Sequence, residues 1–428
     1  MTFKMKTFLI LNLIVLSTAY KSYENYKVYK VVPKSDVQLE ILTDLRKNGY
    51  DFWTDVPKIG YDVRIMVSPN EENDFVNYME SVGLDTEIAI PNVQAENISD
   101  EPTCSFTWNE YHSLAEIHAW LDELETLYPN IVETVTIGNG NEGRVLKGVI
   151  IDFKSGQRET PLVGMIEGGI HAREWISPAT VTWIIKEFLT SDNPDVRFMA
   201  EAFVWHIFPV VNPDGYEYTF THNRMWRKNR NTLYTTNCSS DSDLTVGASS
   251  NPCDQTFAGP SAGSEPETKA ITSYVQKIKE SGNMIYYISF HSYSQMILIP
   301  YSHLGGDDVL QVGNYAQRGL DKLTEKYGTQ YVAGTSLDIL YAVSGSSFDW
   351  VKGVAKIPIV YLFELRDVGE FGFLLPTNQI IPNNEEIMAC LVEMDKTTKN
   401  LGYYSSSATN ILASIIVIIT TVVLIVVQ

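Results

Sequence analysis

The sequence predicts an α/β protein: a mixed, mostly parallel twisted sheet with helices on both faces, preceded by a small ferredoxin-like α+β domain. Three observations predict it. Apolar β-rich runs such as LVGMIEG, FVWHIFPVV, MIYYISF and IPIVYLFEL alternate with segments of helical periodicity after residue 106. Continuous apolar strands of this kind belong to a sheet buried on both faces. Residues 26–93 carry a separate strand–helix–strand–strand–helix–strand order, cut off by the polar stretch QAENISDEPT. The chain has 428 residues, 44% of them hydrophobic, enough for two domains with substantial cores.

Taken in order, residues 1–19 read as an export signal. Lys4 and Lys6 precede the apolar core FLILNLIVL, and small residues end it at Ala19. A first domain spans 20–93. YKVYKVV is a strand, and Ser35 with Gln38 opens a helix by a capping box that stops near Gly49. DVRIMVS, NEENDFVNYMESVG and TEIAIPNV supply strand, helix and strand. A linker occupies 94–105, and the larger domain runs over 106–402. There, YHSLAEIHAWLDELETLY ends its helix before Pro129, and IVETVTIG and RVLKGVIIDF are strands. Further helices lie at PATVTWIIKEFL, ETKAITSYVQKIKE, VLQVGNYAQRGLDKLTEKYG and NEEIMACLVEMDKTTKN.

Residues 403–428 form an apolar tail with small residues and a polar spacer upstream, the order of a glycolipid-anchor signal. A retained transmembrane anchor is the competing reading. The expected location is the secretory pathway and then the outer cell surface, attached to the membrane through a C-terminal anchor. Disulfides persist there, and Cys238 and Cys253, close together in a loop-like stretch, are the preferred pair. Cys104 and Cys390 remain as an optional second pair. Asn97 and Asn237 begin glycosylation sequons. The net charge of −20, with no basic run to offset it, excludes a nucleic-acid partner.

The chemistry concentrates in GGIHAREW, where His171 and Glu174 leave the C-terminal end of an apolar strand. Open α/β sheets place their sites at such ends. His291, in SFHSYSQ, ends a second apolar strand. Two imidazoles and a carboxylate suit zinc, which leaves a fourth position for water. Calcium or magnesium would call for more oxygen ligands.

GGIHAREWISP, FTHNRMWRKNR, SFHSYSQ, LYAVSGSSFDW and FELRDVGEFGFLLP together resemble the zinc metallocarboxypeptidases of the pancreatic A/B type, with their N-terminal propeptide. The resemblance runs from about Tyr26 to Leu401. It implies one Zn²⁺ per chain on His171, Glu174 and His291; the His₂Glu set is the known one of carboxypeptidase A, so it comes from the family. It implies Glu364 as general base, against the alternative of a salt bridge to Arg366. It implies Arg227 as the cation at the tetrahedral oxyanion. Arg173, Tyr293 and Tyr341 would contact the substrate, and Phe348 would stand at the pocket floor, where B-type enzymes have an aspartate. Apolar or aromatic C-terminal residues follow as substrates, and the propeptide as inhibitor.

Two features depart from that pattern. The family binds the substrate's free carboxylate with an Asn-Arg pair between the bridged cysteines, in a motif like D-x-N-R-N. Residues 239–252, SSDSDLTVGASSNP, contain no arginine. The same block would carry an aspartate orienting a zinc-bound histidine. And from Ile65 to Gly143 there is neither lysine nor arginine, so trypsin has no site in the linker.

Overall fold

The computed structural model describes residues 20–400, Gly402 and Tyr404, except 55–56, 96–105, 158–159, 234–243, 246 and 303–308. The export signal, Asn97, Cys104, Asn237, Cys238 and the apolar tail therefore lie outside the described residues. Among the described residues, no helix is long and apolar enough to cross a membrane.

The N-terminal domain contains β1 (Lys27–Val31), α1 (Asp36–Lys47), β2 (Asp51–Phe52), β3 (Val63–Val67), α2 (Glu72–Ser81) and β4 (Thr86–Ile90). Its antiparallel sheet has the order β2-β3-β1-β4, the ferredoxin-like arrangement expected. The two-residue β2 is the strand with no signal of its own in sequence. Half of the predicted capping box forms: Ser35 accepts from the Gln38 N–H at 3.3 Å. Gln38 Oε1 instead accepts from the Lys34 N–H. Leu42 and Leu45 from α1 and Phe75 and Met79 from α2 pack on Val31, Val63, Ile65 and Val67.

The larger domain opens with α3 (Leu114–Leu127), held by a complete capping box between Ser113 and Glu116. Then come β5 (Val132–Asn139), β6 (Val145–Ile151), β7 (Leu162–Gly168), α4 (Ile176–Thr190), α5 (Pro194–Ala202), β8 (Phe203–Phe208) and α6 (Pro213–Thr221). The short β9 (Leu244–Thr245) and β10 (Ala248–Ser249) pair with each other, before α7 (Pro266–Ser281), β11 (Asn283–Ser292) and β12 (Met296–Ile299). The chain finishes with α8 (Val309–Tyr327), β13 (Val332–Thr335), α9 (Ser336–Ile339), α10 (Ser347–Gly353), β14 (Ile359–Leu365) and α11 (Ile380–Asn400).

The main sheet has eight strands in the order β13-β12-β14-β11-β7-β8-β6-β5. Its four central strands, β14, β11, β7 and β8, run parallel. They are the apolar runs read from sequence, and helices cover both faces. Residues of α3, α4, α5 and α11 form one core with the sheet, while α7 and α10 form the other. Burial on both sides is why these strands show no alternation.

Cys253 is disulfide-bonded, its expected partner Cys238 being outside the described residues. The optional Cys104–Cys390 bridge does not form. Cys390 is a free, fully buried thiol on α11 in contact with Met394 Sδ at 3.5 Å.

Candidate metal centre and cleft

Three parallel strands end side by side and carry the site. His291 on β11 stands in register with Glu364 on β14, and Phe290 with Gly168 at the end of β7. The chain leaves β7 through Gly169, whose φ of +65° would strain any side chain and whose Cβ would come within 3.2 Å of Pro209 O and Val210 Cα. That turn delivers His171 and Glu174 just before α4. Ser177, fully buried in the first turn of α4, joins the two strand ends. Its Oγ donates to Phe290 O at 2.6 Å and accepts from the Gly169 N–H at 2.9 Å.

The three side chains converge. His171 Nδ1 lies 2.7 Å from Glu174 Oε1, His291 Nδ1 lies 3.1 Å from Glu174 Oε2, and the two Nδ1 atoms are 3.1 Å apart. Among the described residues this is the one group of three such donors close enough to hold a metal ion. Tetrahedral zinc with bonds of ~2.0–2.1 Å needs donor atoms about 3.3 Å apart. The cluster fits that triangle, slightly contracted, and two nitrogens with one carboxylate match the chemistry. Burial and the Arg227 charge push His171 down to about 4, which keeps its ring neutral and its lone pair free. Burial alone would raise the Glu174 carboxyl, but both imidazoles hold it well below the usual carboxylate range. A carboxylate fixed in its charged form beside a neutral imidazole is a ready ligand pair.

A cavity of about 400 Å³ opens over this cluster. Arg227, Glu364, Tyr293 and Tyr341 line it, so the structure gathers most of the sequence-predicted residues around one space. Arg227 Nη1 donates to Gln255 O at 3.0 Å, and its carbonyl accepts from the Ala172 N–H. Arg366 turns away from Glu364. Its guanidinium grips Glu386 at 2.6 and 2.7 Å and also reaches Thr329. Phe348 is 1% exposed and packs in the core with Met165, Tyr287 and Val351.

The N-terminal domain roofs this cavity with Trp53, Lys58, Tyr61 and Arg64. Arg173 is fully buried beneath it. Its guanidinium donates to Asp51 at 3.4 Å and stacks 4.1 Å over Phe373. A second cross-domain pair joins Arg46 at the end of α1 to Asp254, 3.0 Å apart. Trp53, Met66 and Ile90 complete the contact by packing with Met225, Phe373 and Leu374.

Sequence reasoning missed several supports. Ser177 is one. Arg224 is another: stacked on Trp175, it donates to Arg173 O and Phe373 O at 2.9 and 2.7 Å. Asp367 accepts three backbone N–H groups, from Gly369, Phe371 and Gly372, and shapes the turn after β14. Only the last had a signal, an aspartate two residues before Gly369 and five before Gly372.

Comparison with known proteins gives the same assignment. The zinc carboxypeptidase family matches residues 117–390, and the carboxypeptidase activation peptide matches residues 29–97. A zinc carboxypeptidase A 1 of Anopheles gambiae is 39% identical over 402 residues, covering 89% of this chain and 92% of that protein. The crystal structure of thrombin activatable fibrinolysis inhibitor superposes with a TM-score of 0.78 at 28% identity, over 88% of this chain and 99% of that one. Carboxypeptidase A from Helicoverpa armigera superposes with a TM-score of 0.76 at 25% identity, over 91% and 100%. A sheet, a two-histidine, one-carboxylate cluster and an activation domain in one chain thus have a single explanation: this protein belongs to the zinc carboxypeptidase family, as a precursor that carries its activation peptide.

Proposed function

We propose that His171, Glu174 and His291 hold one zinc ion and that the larger domain, 106–402, removes C-terminal residues from peptides with Glu364 as general base. The observation that carries this is the convergence of the three donors at the mouth of a cavity that Glu364 and Arg227 also line. Zinc bound there supplies a Lewis acid and a water whose pKa falls to ~7. Glu364, half-buried at the end of β14, takes a proton on its carboxylate and passes it to the leaving amine. Arg227 donates hydrogen bonds to the carbonyl oxygen as it gains charge, a contribution of about 3 kcal/mol. Arg173 and Tyr293 line the upstream subsites, and Tyr341 closes over the C-terminal residue. With the apolar Phe348 where B-type enzymes have an aspartate, apolar or aromatic residues are preferred. The 20–93 domain inhibits by covering the cleft and engaging Arg173 through Asp51. Export, glycosylation at Asn97 and Asn237, and a lipid anchor after the 403–428 tail is removed complete the proposal.

One observation favours a weaker enzyme. Residues 239–252 lack an arginine, and among the described residues lining the cavity Arg227 is the only cation from the larger domain. Without a carboxylate anchor, losing a charge-pair partner costs ~2–5 kcal/mol. Slow exopeptidase activity is therefore expected, and the second reading is a zinc- and peptide-binding surface protein with little catalysis. Mass spectrometry of a peptide ending in Phe, incubated with the protein after removal of the N-terminal domain, tests both. Slow release abolished by a zinc chelator supports the first reading. Efficient release would refute the weak-activity part, and no release from folded, zinc-loaded protein would favour the second.

A further inference from the structure

Behind the metal cluster lies a carboxylate that the proposed reaction does not use. Glu167, on β7, is fully buried, one residue before the strand ends. It pairs in register with Ser289 on β11, and alternation along that strand puts Ser289 and His291 on the same face. Glu167 Oε1 is taken up by the Tyr287 hydroxyl at 2.8 Å and the Ser347 hydroxyl at 3.3 Å. Its second oxygen, Oε2, is buried with no hydrogen-bond partner, and so is the Ser289 hydroxyl. That hydroxyl is near enough to favour the charged carboxylate yet completes no bond.

His291 supplies the missing half. Its Nδ1 faces His171 and Glu174, so Nε2 is the nitrogen left to carry the proton when Nδ1 offers a lone pair to a metal. The ring is 5% exposed, and among the described residues nothing hydrogen-bonds Nε2. A 5% exposed imidazole whose Nε2 no described residue bonds, a buried hydroxyl and a buried carboxylate oxygen, the last two without a partner, thus lie on one face of two adjacent strands. Buried groups of this kind are satisfied by each other or by an ordered water.

We propose that Glu167 is a positioning residue for His291: through the Ser289 hydroxyl, alone or with one bridging water, its free oxygen holds the His291 Nε2 proton and so fixes the ring with Nδ1 toward the metal. Metal-binding histidines generally need such an outer partner to set tautomer and orientation. The inference rests on the reading that His291 binds zinc. It also gives this chain a carboxylate behind one ligand, although segment 239–252 has no D-x-N-R-N motif, whose aspartate the resemblance places behind the other.

The test uses the full chain stripped of metal and titrated with Co²⁺, followed by visible absorption and by competition with a chelator. Glu167→Gln should weaken Co²⁺ binding roughly 10–100-fold and shift the absorption band, with the fold intact by circular dichroism. Ser289→Ala is the sharper variant. Because its hydroxyl bonds to nothing in the fold, a purely structural role predicts no effect, whereas the relay predicts the same loss of affinity and band shift. If Glu167→Gln does not fold, Ser289→Ala decides by itself. Folded variants with wild-type affinity and spectrum would overturn the proposal. Wild-type protein that fails to bind Co²⁺ would instead overturn the reading of the metal centre, and this inference with it.

Discussion

Arg46→Ala should loosen the activation domain from the enzyme without touching the metal centre. Arg46 Nη2 lies 3.0 Å from Asp254 Oδ1 and 3.2 Å from Thr256 Oγ1 across the interface. The pair is well desolvated, with 11% and 6% of the two side chains exposed. Truncating one member of such a pair costs ~2–5 kcal/mol, mostly by stranding the other charge. Asp254 is not fully stranded, since it still accepts from the Thr256 N–H at 2.8 Å and from its hydroxyl at 2.9 Å. The low end therefore applies, about 2 kcal/mol, or roughly 30-fold in the dissociation constant. The assay places a site-specific protease sequence in the linker, cuts it, and measures dissociation of the two pieces by analytical ultracentrifugation. Arg46→Lys should fall between, because lysine keeps the charge and loses the fork that reaches both partners. A loss for Arg46→Ala below about twofold, the ~0.4 kcal/mol scatter of independent sites, would refute the reasoning.

Three further outcomes are expected. Ser177→Ala should leave the Gly169 N–H and Phe290 O unpaired, costing about 1–3 kcal/mol by chemical denaturation and lowering zinc affinity, because both metal-bearing strand ends loosen. Burial raises the Asp395 carboxyl to about 6, against hydrogen bonds from Tyr404 and Tyr286. With the folded value above the unfolded ~3.9, its contribution of about 2–3 kcal/mol is complete below pH ~4 and lost as pH rises through about 6. Asp395→Asn should flatten that part of the stability–pH curve, and unchanged curvature would contradict it. Phe348→Asp puts a carboxylate into the apolar cluster of Met165, Tyr287 and Val351, so it should destabilise the folded chain by ~3 kcal/mol or more rather than simply convert it to basic substrates.

The central strands and the three metal-cluster residues were legible because their signals are local: uninterrupted apolar runs, and chemistry-bearing residues at run ends. β12 and β13 were not. Each has four residues, and β13 begins at the exposed Val332 and contains Gly334, so neither pattern nor propensity marks it. α6 was also hidden. It begins at Pro213 with Gly215 inside, and its start is set by the Asn212 side chain accepting from Gly215 N–H. Ser177, Glu167 and Arg224 act through backbone groups or neighbours far along the chain, which no spacing announces. Arg173 shows the opposite limit: its motif is plain, but its burial beneath Asp51 depends on how two domains dock. Whether Arg366 pairs with Glu364 likewise needed the fold, which sends Arg366 to Glu386.

The central claim is that one zinc on His171, Glu174 and His291 works with Glu364 to cut peptides. It is tested most directly by measuring zinc content and peptide release together in wild type, His291→Ala and Glu364→Gln, each freed of its activation domain. The account predicts one zinc per chain and slow release in wild type, neither in His291→Ala, and a full zinc content without release in Glu364→Gln. Zinc retained by folded His291→Ala, or release undiminished in Glu364→Gln, would contradict it.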